Sequence, residues 1–145
     1  MIRSFLFVPG DSEKKLAKAG SAGADALILD LEDSVAPSRK DAAREMVGEY
    51  LKRRGGRGAQ LWVRINPLDG SDAARDLEAV ASNAPDGIVL PKADGPQDVA
   101  TLSAHLDAIS APDVQIMPVA SETPIAPFKL GEYAGAKLDR LYGLT

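Results

Sequence analysis

The chain has 145 residues, with 17 Lys and Arg against 21 Asp and Glu, a formal net charge of −4. A composition that is 45% hydrophobic and 26% charged excludes a wholly disordered chain, and the mild acidity argues against a protein built to neutralise a nucleic-acid backbone. With no cysteine there is no disulfide, no thiolate nucleophile and no Cys-based zinc or iron–sulfur site, so chemistry must run on carboxylates, Lys, Arg, hydroxyls, one His or a bound cofactor.

In chain order, the start from Met1 to Gly10 carries Arg3 and a short apolar run, Phe5–Val8, that ends in Pro9-Gly10-Asp11. A signal peptide needs a longer apolar region and a small-residue cleavage site, so the run reads as a strand in a soluble, cytoplasmic protein. No stretch approaches the roughly 20 apolar residues of a membrane span. A second run, Ala26–Leu31, precedes a helical stripe of Ala43, Met46, Val47, Tyr50 and Leu51, with Ser38 and Asp41 as its start signal. Lys52-Arg53-Arg54 with Arg57 reads as the solvated end of that helix, and Gly55-Gly56-Arg57-Gly58 as the joint before a third run, Leu61–Ile65. After the polar joint Asp69-Gly70-Ser71-Asp72 comes a fourth run, Gly87–Leu90. Asp94-Gly95-Pro96-Gln97 then opens a helix striped by Val99, Leu102, Leu106 and Ile109. Gln115–Ala120 and Leu138–Leu144 are the fifth and sixth runs.

Runs this rich in Val, Ile and Leu suit strands buried on both faces of a parallel sheet. The βα rhythm, without a composition break, predicts one α/β domain with right-handed crossovers. It closes either as a doubly wound open sheet or as a (β/α)8 barrel. A barrel takes about 250 residues and eight strands, so length alone favours the open sheet.

In both closures the working groups sit at the carboxyl ends of the strands. Those ends read Pro9-Gly10-Asp11, Asp30-Leu31-Glu32-Asp33-Ser34, Arg64-Ile65-Asn66, Pro91-Lys92 and Ser121-Glu122-Thr123. Carboxylates gathered in a cleft repel one another unless a cation intervenes, so Asp30, Glu32, Asp33 and Glu122 suggest a hard divalent metal, Mg2+ or Mn2+. The alternative is that Asp30, Glu32 and Asp33 cap the next helix or pair with Lys40 and Arg44. Arg64 closes an apolar strand with a planar fork suited to a carboxylate or an enolate oxygen, or to a salt bridge with Glu32 or Asp33. Lys92 could form a Schiff base only if desolvated, which nearby acids oppose by favouring the protonated amine. Lys14, Lys15 and Lys18 read as a solvated helix face and His105 as a surface residue. Ser34, Ser121 and Thr123 lack a nearby His for a hydrolase triad, and neither a dinucleotide glycine spacing nor a Walker loop is present.

At these residues the sequence resembles the citrate lyase beta-subunit and malyl-CoA lyase branch of the HpcH/HpaI aldolase family. The matching segments are Arg3 to Asp11, Gly23 to Val35 with its Leu-Asp-Leu-Glu-Asp-Ser-Val stretch, Lys40, Ala43-Arg44, Val63 to Asn66, Leu90-Pro91-Lys92 and Glu122-Thr123. The resemblance implies a (β/α)8 TIM barrel, of which residues 1–145 would form about the first six βα units, an incomplete catalytic domain. It implies a Mg2+-dependent carbon–carbon lyase or aldolase acting on a 3-hydroxyacyl-CoA thioester of the citryl, malyl or citramalyl type, giving acyl-CoA and a keto acid. Glu122 would be one acidic metal ligand, and the second, an Asp, is expected beyond Thr145. Arg64 would hold the oxo acid, Glu32 and Asp33 would form the acidic shell beside it, and Lys15 stands where relatives carry an Arg near the coenzyme A nucleotide. The full-length protein is expected to be a homo-oligomer, bound to neither nucleic acid nor membrane, and a chain ending at Thr145 to be inactive alone. The rivals are a metal-dependent aldolase on free keto acids without CoA, and a non-catalytic subunit or fragment.

Overall fold

The computed structural model describes residues 2–54 and 58–145. Met1 and the joint residues Gly55, Gly56 and Arg57 lie outside the described residues. Five strands, β1 (Phe5–Pro9), β2 (Ala26–Asp30), β3 (Gln60–Arg64), β4 (Gly87–Leu90) and β5 (Gln115–Pro118), alternate with helices α1 (Glu13–Ala19), α2 (Lys40–Lys52), α3 (Asp72–Val80) and α4 (Pro96–Ala108). A four-residue helix, α5 (Ala126–Lys129), follows β5 and runs on into a 3-10 segment, Leu130–Gly135.

Among the described residues the strands form one parallel sheet in the order β1-β2-β3-β4-β5. A doubly wound sheet reverses its strand order at a switch point; here each crossover advances by one strand in the same direction, as staves of a barrel do. The open sheet that length favours is therefore corrected, and the arc is of the TIM-barrel type.

The alternation of side chains sets two layers. Leu27, Leu29, Leu61, Val63, Ile88, Leu90 and Ile116 face the helices and pack with Leu16, Val47, Leu51, Leu77, Val80, Val99, Leu102 and Leu106. On the opposite, inner face Ala26, Ile28, Trp62, Val89 and Met117 form a smaller cluster. Trp62 explains Gly87, its register partner on β4: a Cβ at Gly87 would lie 2.3 Å from the indole ring.

Three local expectations are corrected. Leu138–Leu144 is not a full strand: it meets β5 through one parallel bridge, Leu141 to Ile116, flanked by hydrogen bonds from Ile116 N–H to Arg140 and from Tyr142 N–H to Ile116. The next donor in that ladder would be residue 118, and Pro118 has no N–H to give. Ser38 does not cap α2 either. A 3-10 turn, Pro37–Arg39, leads into the helix without a side-chain cap, and Asp41 bonds Arg44 and Arg75 instead. Helix α4 starts where expected, with Pro96 in its first turn, but the capping box is shifted by one residue: Gly95 is the N-cap, and the Asp98 carboxylate, not Gln97, accepts from the N–H groups of Asp94 and Gly95.

Candidate metal centre

On the inner face the charged side chains stand where the strands end. Asp30 closes β2, directly across from Arg64, which closes β3. Their pairing is bidentate: Nε and Nη2 of Arg64 each donate to Asp30 at 2.7 Å, with Asp30 1% exposed. The backbone then turns over the Asp30 carboxylate, which also accepts from the N–H of Glu32 at 2.9 Å and of Ser34 at 3.1 Å. Burial pushes the Asp30 carboxyl up, but the bonds from Arg64, Ser34 and Glu32 and the Arg64 charge outweigh it and hold it below the ordinary carboxylate value. Asp30 is thus a fully occupied anchor, and it leaves the acidic metal set in which the sequence placed it.

The turn presents Glu32 and Asp33. Lys40 fixes it from behind, its ammonium donating to the carbonyls of Leu31 at 2.6 Å and Glu32 at 2.7 Å and to the Asn66 amide oxygen at 2.8 Å. Asn66 in turn donates to Leu31 O and to Asp76, and Asp76 receives Arg44 at 2.7 Å. Lys40 and Arg44 therefore brace the loop and the helices without neutralising Glu32 or Asp33, which removes the alternative that these acids pair with them. Nor do these acids cap α2, whose first turn follows Arg39.

Glu122 comes from the loop after β5. Its Oε2 accepts the backbone N–H of Lys92 at 2.8 Å, and Thr123 ties the same loop to Asp94 at 2.6 Å. Lys92 takes a left-handed conformation, φ 52°, at the turn after β4, and this aims both its N–H and its side chain at the acids. One oxygen from each of Glu32, Asp33 and Glu122 lies within 4.8 Å of the others. The Lys92 ammonium sits among them, hydrogen-bonded to Glu32 and 3.7 Å from Asp33 and 3.8 Å from Glu122. The bond to Glu32, and with it the charge of all three acids, raises the Lys92 ammonium above its ordinary value, so it is no Schiff-base nucleophile.

Glu32 is 3% exposed, and its Oε2 accepts no hydrogen bond, with Arg64 Nη1 3.2 Å away. A buried carboxylate oxygen without a donor, beside two further carboxylates, is a donor set suited to a hard divalent cation. Arg64 offers that centre its Nη1 edge, since the Nε and Nη2 edge is spent on Asp30, and Phe7 lies against the guanidinium with its ring centroid 4.8 Å away.

Of the residues the sequence singled out, the fold gathers Arg64, Glu32, Asp33 and Glu122. Lys15 is exposed on α1, outside this cluster, and His105 is exposed on α4. Arg54, expected to be solvated, pairs with Asp86 at 2.6 Å. The central position of Lys92 was missed. Its signal, a basic residue directly after the fourth strand, was present but was weighed only as a nucleophile.

Carboxylates from two loops and an arginine at the carboxyl edge of a parallel barrel arc define a class: βα-barrel proteins with a candidate cation site at the carboxyl ends of the strands. Residues 3–124 match the model of the HpcH/HpaI aldolase/citrate lyase family, and the chain belongs to that family. It is 37% identical over 148 residues to citrate lyase subunit beta of Escherichia coli (strain K12), covering 99% of this chain and 49% of that protein. It is 36% identical over 99 residues to the mitochondrial citramalyl-CoA lyase of Rattus norvegicus, covering 67% of this chain and 29% of that protein. Among solved structures, the CitE protein of Mycobacterium tuberculosis in complex with magnesium and acetoacetate superposes with a TM-score of 0.71 at 35% identity, covering 97% of this chain and 52% of that chain. The same protein has been crystallised with coenzyme A in addition. The chain spans about half the length of the curated relatives it matches first.

Proposed function

We propose that these residues form part of the active site of a Mg2+-dependent carbon–carbon lyase that cleaves or forms a 3-hydroxyacyl-CoA thioester of the citryl, malyl or citramalyl type. The observation that carries the reading is the convergence of Glu32, Asp33 and Glu122 within 4.8 Å beside the Nη1 edge of Arg64. The named activities of the relatives, and the magnesium, acetoacetate and coenzyme A of the CitE complexes, support it.

Glu122 is the acidic ligand this chain gives directly, with Glu32 and Asp33 completing the acidic shell. A further Asp, beyond Thr145 in the family pattern, is the second ligand. A bound Mg2+ supplies Lewis-acid polarisation of the substrate oxygen. Arg64 binds the same oxygen through Nη1, held in orientation by Asp30, and stabilises the charge that develops there. In the cleavage direction the hydroxyl gives its proton to a general base, its oxygen becomes the carbonyl of the keto acid as the carbon–carbon bond breaks, and the bond's electron pair passes into an acyl-CoA enolate that takes up a proton to give acyl-CoA. The exposed ammonium of Lys15 is available to a nucleotide phosphate of coenzyme A. In this reading residues 1–145 supply five βα units of the catalytic barrel and the beginning of a sixth, in a cytoplasmic protein that is a homo-oligomer at full length.

The test is a substrate screen of the full protein, with and without EDTA. Keto-acid release from malyl-, citramalyl- or citryl-CoA that stops on chelation is the expected result. Turnover of free hydroxy acids but not thioesters would replace this reading with the CoA-independent aldolase. Absence of turnover on both would favour a non-catalytic role.

A further inference from the structure

We propose that Lys92 is a positioning residue of this centre, an internal counter-cation that occupies the space between Glu32, Asp33 and Glu122 and competes with a divalent cation for them. The inference rests on reading those three acids as facing a cation, and it deepens that reading by identifying what sets the strength of cation binding.

The geometry is that of a ligand already in place. The ammonium is hydrogen-bonded to Glu32 Oε1 and lies within 4 Å of Asp33 and Glu122, while the three acidic oxygens are themselves within 4.8 Å of one another. Mg2+ requires oxygen ligands at about 2.0–2.1 Å. A Mg2+ held by Glu122, with Glu32 and Asp33 turned toward it as the acidic shell, would draw on the same three carboxylates as the like-charged ammonium, so the two cations compete for them. Glu32 cannot retreat: it is 3% exposed, and its backbone is held by Asp30 and Lys40. Lys92 can, because its side chain is 42% exposed and its stem is flexible. Its departure need not disturb Glu122, which is held by the Lys92 backbone N–H and not by the ammonium. The backbone of residue 92 thus orders one carboxylate permanently, while its side chain orders all three only until a stronger cation displaces it. Without the ammonium, three carboxylates would repel one another, and a dication would meet no competitor.

The test compares Mg2+ binding by calorimetry in the full protein, its Lys92→Met variant and its Lys92→Arg variant. Lys92→Met is expected to bind Mg2+ at least tenfold more tightly, a gain of about 1.4 kcal/mol, and Lys92→Arg, which keeps the charge, to bind within about threefold of wild type. A residue needed only for structure would lose affinity on truncation, so equal or weaker binding by Lys92→Met overturns the proposal while leaving the metal site intact. If neither wild type nor variant binds Mg2+, the proposal falls together with the reading beneath it. A second measurement needs no variant: acylation of the Lys92 amine in the wild-type protein, followed by mass spectrometry, should accelerate when Mg2+ is added. An unchanged rate contradicts the displacement.

Discussion

At the scale of residues, the site depends on which oxygens are already spent. Asp30 has both of its oxygens engaged, so it acts on the centre through what it holds, the guanidinium of Arg64 and the backbone N–H of Glu32. Because its folded carboxyl lies below the ordinary value, its contribution to stability is present above about pH 3.9, the unfolded aspartate value, and is lost as pH falls through the folded value. Denaturant midpoints measured across acid pH should therefore fall in wild type as pH drops below about 3.9. Asp30→Asn should lower the midpoint at neutral pH and flatten that acid limb. For Arg64→Ala the expected effect is a loss of about 10²–10³ in kcat, the scale for removing one donor to a developing oxyanion, read in steady-state kinetics. The candidate residues Arg64, Glu32, Asp33 and Glu122 were legible in the sequence because charged groups that interrupt buried strand patterns stand out. Of their pairings, Arg64 with Glu32 was legible, while the spending of its other edge on Asp30 was not. Whether Lys40 and Lys92 meet carboxylates or carbonyls depends on where two turns place a flexible stem, and no spacing rule states that.

At the scale of elements, α2 and α3 are joined by a charge cluster whose centre, Arg44 with Asp76, is buried while Asp41 and Asp72 reach solvent. Arg44 reaches Asp76 and Asp41 at 2.7 Å and Asp72 at 2.5 Å, and Asp76 passes the constraint through Asn66 to the loop that bears Glu32. Removing one partner of such a cluster leaves buried charge uncompensated, so Arg44→Ala is expected to cost about 3–5 kcal/mol, measurable as a shift in urea midpoint. On the inner face, Gly87→Ala would drive a methyl into the Trp62 ring and should destabilise by roughly 1–3 kcal/mol. Trp62→Phe, which shortens the ring system, should recover part of that loss. The five strands could be read from their apolar runs to within a few residues. The Trp62 and Gly87 pairing could not, because it exists only once β3 and β4 are set in register. The sixth run failed as a strand for a reason that was visible one element earlier, in the Pro118 that interrupts the neighbouring ladder.

At the scale of the molecule, the winding direction of the sheet separates the two architectures that the sequence left open. Both share the βα rhythm and the buried strands; they differ in strand order, which no local pattern encodes. Among the described residues β1 pairs only with β2, and Phe5 and Phe7 on its inner face are exposed, as is Phe128 at 85% on α5. A 145-residue chain prepared alone should accordingly bind a hydrophobic dye such as ANS strongly, and dye fluorescence at the level of a fully enclosed barrel would contradict the exposed inner face. The arc's purpose, in this account, is to bring one loop after β2 and another after β5 to a single point beside Arg64. The most direct measurement of that claim is thioester cleavage by the full protein and by its Glu122→Ala variant at saturating Mg2+, with circular dichroism recorded on both. The account predicts that turnover is abolished while the spectra coincide; turnover that survives the loss of Glu122 would contradict it.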